Sequence, residues 1–248
     1  VIETEDADGV RLVAFNRPTA RNAFNVAMYR AVADAVDDAG GDDSIHAIVL
    51  TGRGAAFSAG QDLREMAEMA AGRAPADTGH GFPRLLDSLQ GCSKPLFAAV
   101  NGVGVGLGFT MLGHCDIVLI DEEARLRVPF AELGVPPEAG SSYLFPARMG
   151  WQQAARVLLC SEWIAADEAV DMGIALRTCP PGTVVEQSLA LAKRVAAYPA
   201  EAVTEIKALM RAPHLDAVRQ ARSREDDAFR RLLGSTATRE ALDRWDTT

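Results

Sequence analysis

The stretch GVPPEAGSS, residues 134–142, sets one carboxylate, Glu138, between a Pro-Pro pair and a run of small residues. Pro136 and Pro137 fix φ and stiffen the approach, and the small residues that follow leave room around the carboxyl group. A carboxylate so placed can carry a proton, or it can be an acidic residue in the first turn of a helix, favoured there by the macrodipole. Two glycine-rich turns offer a complementary group: GAAFSAGQDL follows the apolar run AIVLTG, and NGVGVGLGFT follows PLFAAV. Each brings backbone N–H groups near the C-terminal end of a strand, where unpaired amides bind a ligand oxygen. Two such amides make an oxyanion hole; the alternative is that the glycines serve tight packing alone.

Several other chemistries lack their signatures. Neither Gly102, Gly104 and Leu107 nor Gly104, Gly106 and Phe109 complete G-x-G-x-x-G, and no G-x-x-x-x-G-K-[ST] occurs. The four histidines show no ligand spacing, and Cys92, Cys115, Cys160 and Cys179 lie far apart with no C-x-x-C pair, so neither a metal nor a disulfide framework is indicated. AFSAG approaches the G-x-S-x-G of serine hydrolases, with Ser58 as nucleophile, but Ala56 replaces the first Gly and no His-Asp partnership is readable. A net charge of -9 and a pI near 5.0 argue against nucleic acid, while leaving room for a local basic pocket. No apolar run approaches the roughly 20 residues that span a bilayer, and VIETEDADGV is acidic where a signal peptide is basic and then apolar, so a cytoplasmic protein is expected.

The elements that must position these groups read as α/β. GVRLVAFN, HAIVLTG, KPLFAAVNG and CDIVLIDEEARLRVP are strand-like runs rich in β-branched residues, and NVAMYRAVADAVDDAG has helical spacing of Met28, Val32 and Val36. GLGFTMLGH has room for only a few helical turns. From Gly150 the chain reads as mainly helical, with AADEAVDMG ending at Gly173 as a helix stop. Residues 201–246 carry three candidate helices parted by Pro213 and by Gly234-Ser235, and AAGRAPADTGHG, residues 70–81, reads as a mobile loop. The expected organisation is a core over 1–195 and a helical oligomerisation region over 196–248.

Taken together, NRPTARNAF (16–24), FSAGQDL (57–63), AAVNGVGVGLG (98–108), CDIVLIDEEARLRVPFAELGVPPE (115–138) and IAADEAVDMGI (164–174) resemble, in order and spacing, the crotonase or enoyl-CoA hydratase/isomerase family. The resemblance implies a spiral of ββα units with a helical C-terminal region, assembly as a homotrimer or dimer of trimers, and acyl-CoA thioester substrates. Coenzyme A is then part of the substrate, and no resident cofactor is implied. Position by position, the oxyanion donors fall on the N–H of Gln61 and the N–H of Leu107. Arg21, Ala59, Asp62 and Leu63 fall on coenzyme A contacts, and Met66, Met69 and Phe82 are candidates for the acyl pocket.

The departures from the family are informative. The two Glu residues with which its hydratases hold water correspond to Thr110 and Phe130, neither of which moves a proton at neutral pH. Glu132 is the carboxylate that a local slip of two residues would bring in. PFAELGVPPEAGSS instead resembles the segment of peroxisomal-type Δ3,Δ2-enoyl-CoA isomerases in which a single Glu, at the position of Glu138, shuttles the proton. The reading is therefore an acyl-CoA isomerase of fatty-acid metabolism with Glu138 as base. An enoyl-CoA hydratase is the near alternative; a serine hydrolase and a non-catalytic CoA-binding protein are the distant ones.

Overall fold

The structure, a computed structural model, describes residues 1–72 and 81–246. Asp8 and Gly9 both take positive φ, 51° and 75°, as a two-residue hairpin turn requires. Ile2–Ala7 (β1) and Val10–Phe15 (β2) therefore pair antiparallel, from Ala7↔Val10 to Ile2↔Phe15. The acidic segment thus forms an edge strand, whose Glu3, Glu5 and Asp6 discourage further pairing.

The later strands are Ala47–Gly52 (β3), Ala56–Ser58 (β4), Leu96–Val100 (β5), Val103–Val105 (β6), Ile117–Asp121 (β7), Arg125–Arg127 (β8), Ile164–Ala165 (β9) and Arg177–Cys179 (β10). Among the described residues they form two sheets, ordered β1-β2-β3-β5-β7-β10 and β4-β6-β8-β9. Three times in succession the chain lays a strand in the large sheet and the next, short one in the small sheet: β3 then β4, β5 then β6, β7 then β8. This repeated turn is the expected ββα spiral. Every residue of β3 and of β5 is buried because both faces of the large sheet are covered, so these strands read as continuous apolar runs.

Side-chain alternation sorts those runs between two cores. Ile48, Leu50, Ala98 and Val100 face the core shared with Val26–Gly41 (α1), whose Met28, Tyr29, Val32 and Val36 form its buried stripe. Ala47, Val49, Phe97 and Ala99 face the other core, with Val184 and Ala192. The N-cap of α1 is Asn25, whose side chain accepts the Met28 N–H at 3.0 Å.

Leu63–Ala70 (α2) and Phe82–Gly91 (α3) flank residues 73–80, so most of the loop expected over 70–81 lies outside the described residues. Leu107–Thr110 (α4) continues into a 3-10 turn at Met111–His114, as the short GLGFTMLGH allows, and Phe130–Leu133 (α5) follows β8. The helical region starts earlier than Gly150. Ser141–Cys160 (α6) already buries Phe145 and Met149 before it kinks at Gly150, whose φ of 75° and ψ of 165° leave the helical region. Gly150 interrupts a helix rather than beginning one.

Ala166–Asp171 (α7) stops where expected, with Gly173 at φ 80° just beyond its end. Val184–Ala196 (α8) covers the second face of the large sheet. Ala200–Arg211 (α9), Leu215–Leu233 (α10) and Thr236–Asp246 (α11) then break at Pro213 and at Gly234-Ser235. Val218, Ala221 and Glu225 are the buried residues of α10, which packs on α6, and α11 packs on α2 and α5. The tail therefore folds back over the loops that follow the strands.

Candidate active site

The loop after β4 is built by backbone pairing. Segments 21–24 and 59–62 run side by side: Ala59 N–H donates to the Arg21 carbonyl (2.8 Å), Phe24 N–H to Gly60 (2.7 Å) and Asp62 N–H to Phe24 (2.9 Å). Gly60 is obligatory here, since its φ is 84° and a Cβ would stand 2.5 Å from the Val105 carbonyl oxygen. Gly108 closes the neighbouring loop equally tightly, its hypothetical Cβ lying 2.4 Å from the Ser58 carbonyl oxygen. Gln61 and Leu107, one on each loop, line a common small cavity. Among the described residues, the backbone N–H of neither has a protein acceptor; that of Leu107 opens α4, where helix N–H groups lack an internal partner.

Glu138 lines the same cavity. Its side chain keeps some accessible surface toward the cavity but is otherwise enclosed by protein. Burial, and then the Glu225 carboxylate, push its carboxyl group up to about 8. The Thr110 hydroxyl opposes that rise, although no hydrogen bond of standard geometry joins the two: Thr110 Oγ1 is a buried polar atom without a partner. Phe130 forms another wall. Among the described residues, Glu138 is the only titratable side chain lining this cavity.

Ala59, Leu63 and Met66 line the same cavity, with Phe229 from α10. A second cavity of about 370 Å³ shares Gln61, Glu138 and Phe229 and adds Met69, Phe82 and Pro137, so of the residues expected in an acyl pocket Met66 lines the first cavity and Met69 and Phe82 the second. Two expected coenzyme A contacts stand apart from both cavities. Arg21 is an exposed residue in the left-handed region (φ 48°), placed beside Ala59 only through its carbonyl. Asp62 caps α2, accepting the Arg64 N–H (3.2 Å), and pairs with Arg17 at 3.2 Å.

Two alternatives lose their footing. Glu132 is paired with Arg127 on the surface and lines neither cavity, so no slip brings it to Phe130's place. Ser58 is fully buried; its hydroxyl donates to the Asn22 carbonyl (2.9 Å) and accepts the Gly60 N–H (3.1 Å), which makes it a loop brace rather than a nucleophile. Among the described residues no cluster of three or more His, Cys, Asp or Glu is arranged for a metal, and no helix is long and apolar enough to cross a membrane. Sequence reasoning missed Phe229 and Glu225. Their signal was present as a helical stripe, Val218, Ala221, Glu225 and Phe229, in which one carboxylate sits among apolar residues of an otherwise charged helix.

Comparison with known proteins gives the family. The profile described as Enoyl-CoA hydratase/isomerase matches residues 5–246. The chain is 34% identical to 2,3-dehydroadipyl-CoA hydratase of Escherichia coli K12 over 93% of its own length and 89% of that protein's. It is 35% identical to human enoyl-CoA delta isomerase 2 over 82% of its length, but spans only 52% of that longer relative. An enoyl-CoA hydratase/isomerase structure from Pseudoalteromonas atlantica T6c superposes with a TM-score of 0.93 at 32% identity, covering 99% of this chain and 96% of the other. With the ββα spiral, the two glycine-built loops and a family profile spanning nearly all of its length, the chain belongs to the enoyl-CoA hydratase/isomerase, or crotonase, family of acyl-CoA-processing enzymes.

Proposed function

We propose that the protein is a Δ3,Δ2-enoyl-CoA isomerase in which Glu138 is the single acid-base group. The observation that carries this reading is the cavity itself: among the described residues Glu138 is the one titratable side chain lining it, together with Gln61 and Leu107, whose backbone N–H groups have no protein acceptor. In the resemblance to the family's hydratases, Thr110 and Phe130 stand where those enzymes carry carboxylates. The thioester oxygen of the substrate accepts the Gln61 and Leu107 N–H groups. Charge that develops there as C2 loses its proton is met by fixed dipoles, each worth about 3 to 4 kcal/mol in the transition state. Glu138 takes the proton from C2, the electron pair delocalises over C1 to C4 with the negative charge held on the thioester oxygen, and the same carboxyl group returns the proton to C4. The double bond has then moved from C3–C4 to C2–C3 with nothing added. A carboxyl group ionising near 8 suits this exchange, because it is basic enough to accept the proton and acidic enough to give it back at neutral pH.

Ala59 and Leu63 are proposed to contact coenzyme A, with Arg21 reaching its phosphates from the surface beside Ala59 and Asp62 acting through the α2 N-terminus. The reaction needs no resident cofactor. We further propose a cytoplasmic homotrimer or dimer of trimers whose boundary includes the 196–248 region. In support, α9 leaves Ile206, Leu209 and Met210 exposed and α6 leaves Trp151 and Leu159 exposed. Hydration is the second reading, favoured by the likeness to an Escherichia coli hydratase. Supplying the protein with 3-enoyl-CoA and, separately, with trans-2-enoyl-CoA distinguishes the two. Isomerisation should yield trans-2-enoyl-CoA with little 3-hydroxyacyl-CoA; faster hydration than isomerisation overturns the proposal, and binding without turnover on either substrate supports a CoA-binding protein instead.

A further inference from the structure

We propose that Glu225, acting together with His114, is the positioning residue for Glu138: the two clamp the turn from Ala139 to Ser142 and thereby fix where the Glu138 carboxyl group stands. The inference rests on the reading of Glu138 as the proton carrier. Ala139 and Gly140 are consecutive left-handed residues, at φ 59° and 73°, and an alanine holds that conformation only where its surroundings enforce it. Both sides of the turn are pinned. His114 Nε2 lies 2.7 Å from the Ala139 carbonyl oxygen; burial brings the imidazole down to about 4, so the ring is neutral at working pH and Nε2–H is the donor. On the other side Gly140 N–H donates to Glu225 Oε2 at 2.7 Å, and Ser142 N–H to Oε1 at 2.9 Å. The Ser142 hydroxyl donates to Oε1 as well.

Glu225 arrives from α10, 85 residues beyond Gly140, and is only 6% exposed. The N-terminus of α6 has no capping side chain of its own, so Glu225 caps it from another helix. Three donors engage its carboxylate, which makes it a structural acceptor and not a second base. Its charge nonetheless opposes ionisation of Glu138. Among the described residues, the other polar groups near Glu138 include the Thr110 hydroxyl from α4, the Gln61 side chain, and the buried Tyr29 phenol from α1, which itself senses Glu65 and Asp62 of the α2 region, with Asp226 and Arg230 of α10 on the wall of the larger cavity.

The test compares Glu225→Gln, His114→Leu and His114→Gln with the native enzyme. Glu225→Gln keeps the shape and one acceptor but removes the charge. Its kcat on 3-enoyl-CoA should fall by about 10- to 100-fold with KM changed by less than about threefold, because position and not binding is lost. The rising limb of kcat/KM, and the titration of a ¹³C-labelled Glu138 carboxyl group in the ligand-free protein, should both move to lower pH. His114→Leu should lose kcat similarly, and His114→Gln, whose amide can reach the place of Nε2–H, should recover most of that loss. A folded Glu225→Gln with native kcat and an unmoved Glu138 titration overturns the proposal. If Glu225→Gln does not fold, native kcat in His114→Leu overturns it. If the native protein proves not to isomerise 3-enoyl-CoA, the reading of the reaction fails by itself, and the carboxyl titration still decides whether Glu225 governs Glu138.

Discussion

Glu138→Gln should make the protein more stable, increasingly so as pH rises. The native fold favours the neutral carboxyl group, with an ionisation near 8 against an ordinary value of 4.5. For such a group the native state binds the proton more tightly than the unfolded chain, so its contribution is fully present below about pH 4.5 and is lost as pH rises toward 8. At about 1.4 kcal/mol for each pH unit by which the ionisation is displaced, the native enzyme gives up about 3 kcal/mol by pH 7 and about 5 kcal/mol above pH 9. Glutamine keeps the shape and never ionises, so it escapes this loss. Denaturant unfolding of both proteins between pH 4 and 9, with equal m-values, measures the difference directly. The two curves should meet near pH 4 to 5 and diverge above it, the variant becoming the more stable as its activity disappears. A difference that stays flat with pH, or a variant that is less stable at pH 8 than at pH 5 relative to the native protein, would refute the argument that burial and Glu225 hold Glu138 neutral.

Gln61→Ala should keep most of kcat because the donor is main chain, whereas Gln61→Pro, which has no N–H, should lose about 10²- to 10³-fold; equal and mild losses in steady-state kinetics count against the oxyanion assignment. Gly60→Ala should cost about 2 to 4 kcal/mol in denaturant unfolding, since it combines a left-handed φ with a Cβ 2.5 Å from the Val105 carbonyl oxygen; a loss under about 0.5 kcal/mol would show that the loop yields. Sedimentation at micromolar concentration should report a trimer or hexamer, and a monomer would remove the proposed role of the exposed faces of α6 and α9.

The parts of this molecule legible in the sequence are those where one physical signal acts alone. Buried strands such as AIVLTG and LFAAV are almost wholly apolar because both faces are covered, and the helix breaks at Pro213 and at Gly234-Ser235 follow from local backbone chemistry. The short strands β4 and β6 escape such reading because three residues carry too little pattern, whereas β8 falls inside the strand-like run CDIVLIDEEARLRVP. Gly150 misled because a glycine marks a kink as readily as a boundary. Glu138, Gln61 and Leu107 were legible through motif resemblance, and the structure brings them to one cavity. Glu225 and Phe229 were not, because their roles depend on α10 folding back across more than 80 residues of chain, a tertiary fact that local pattern does not contain. Arg21 shows the converse: a motif position kept in sequence whose side chain lies outside both cavities, with only its backbone pairing to the loop of Gln61.

The central claim is that one carboxyl group, Glu138, moves the proton. It is tested most directly by kcat for 3-enoyl-CoA in Glu138→Gln and Glu132→Gln measured side by side. Glu138→Gln should fall by about 10² to 10⁴ or more with coenzyme A binding largely kept, while Glu132→Gln, whose carboxylate is paired with Arg127 away from both cavities, should stay within about threefold of native. An active Glu138→Gln beside an inactive Glu132→Gln would contradict the account.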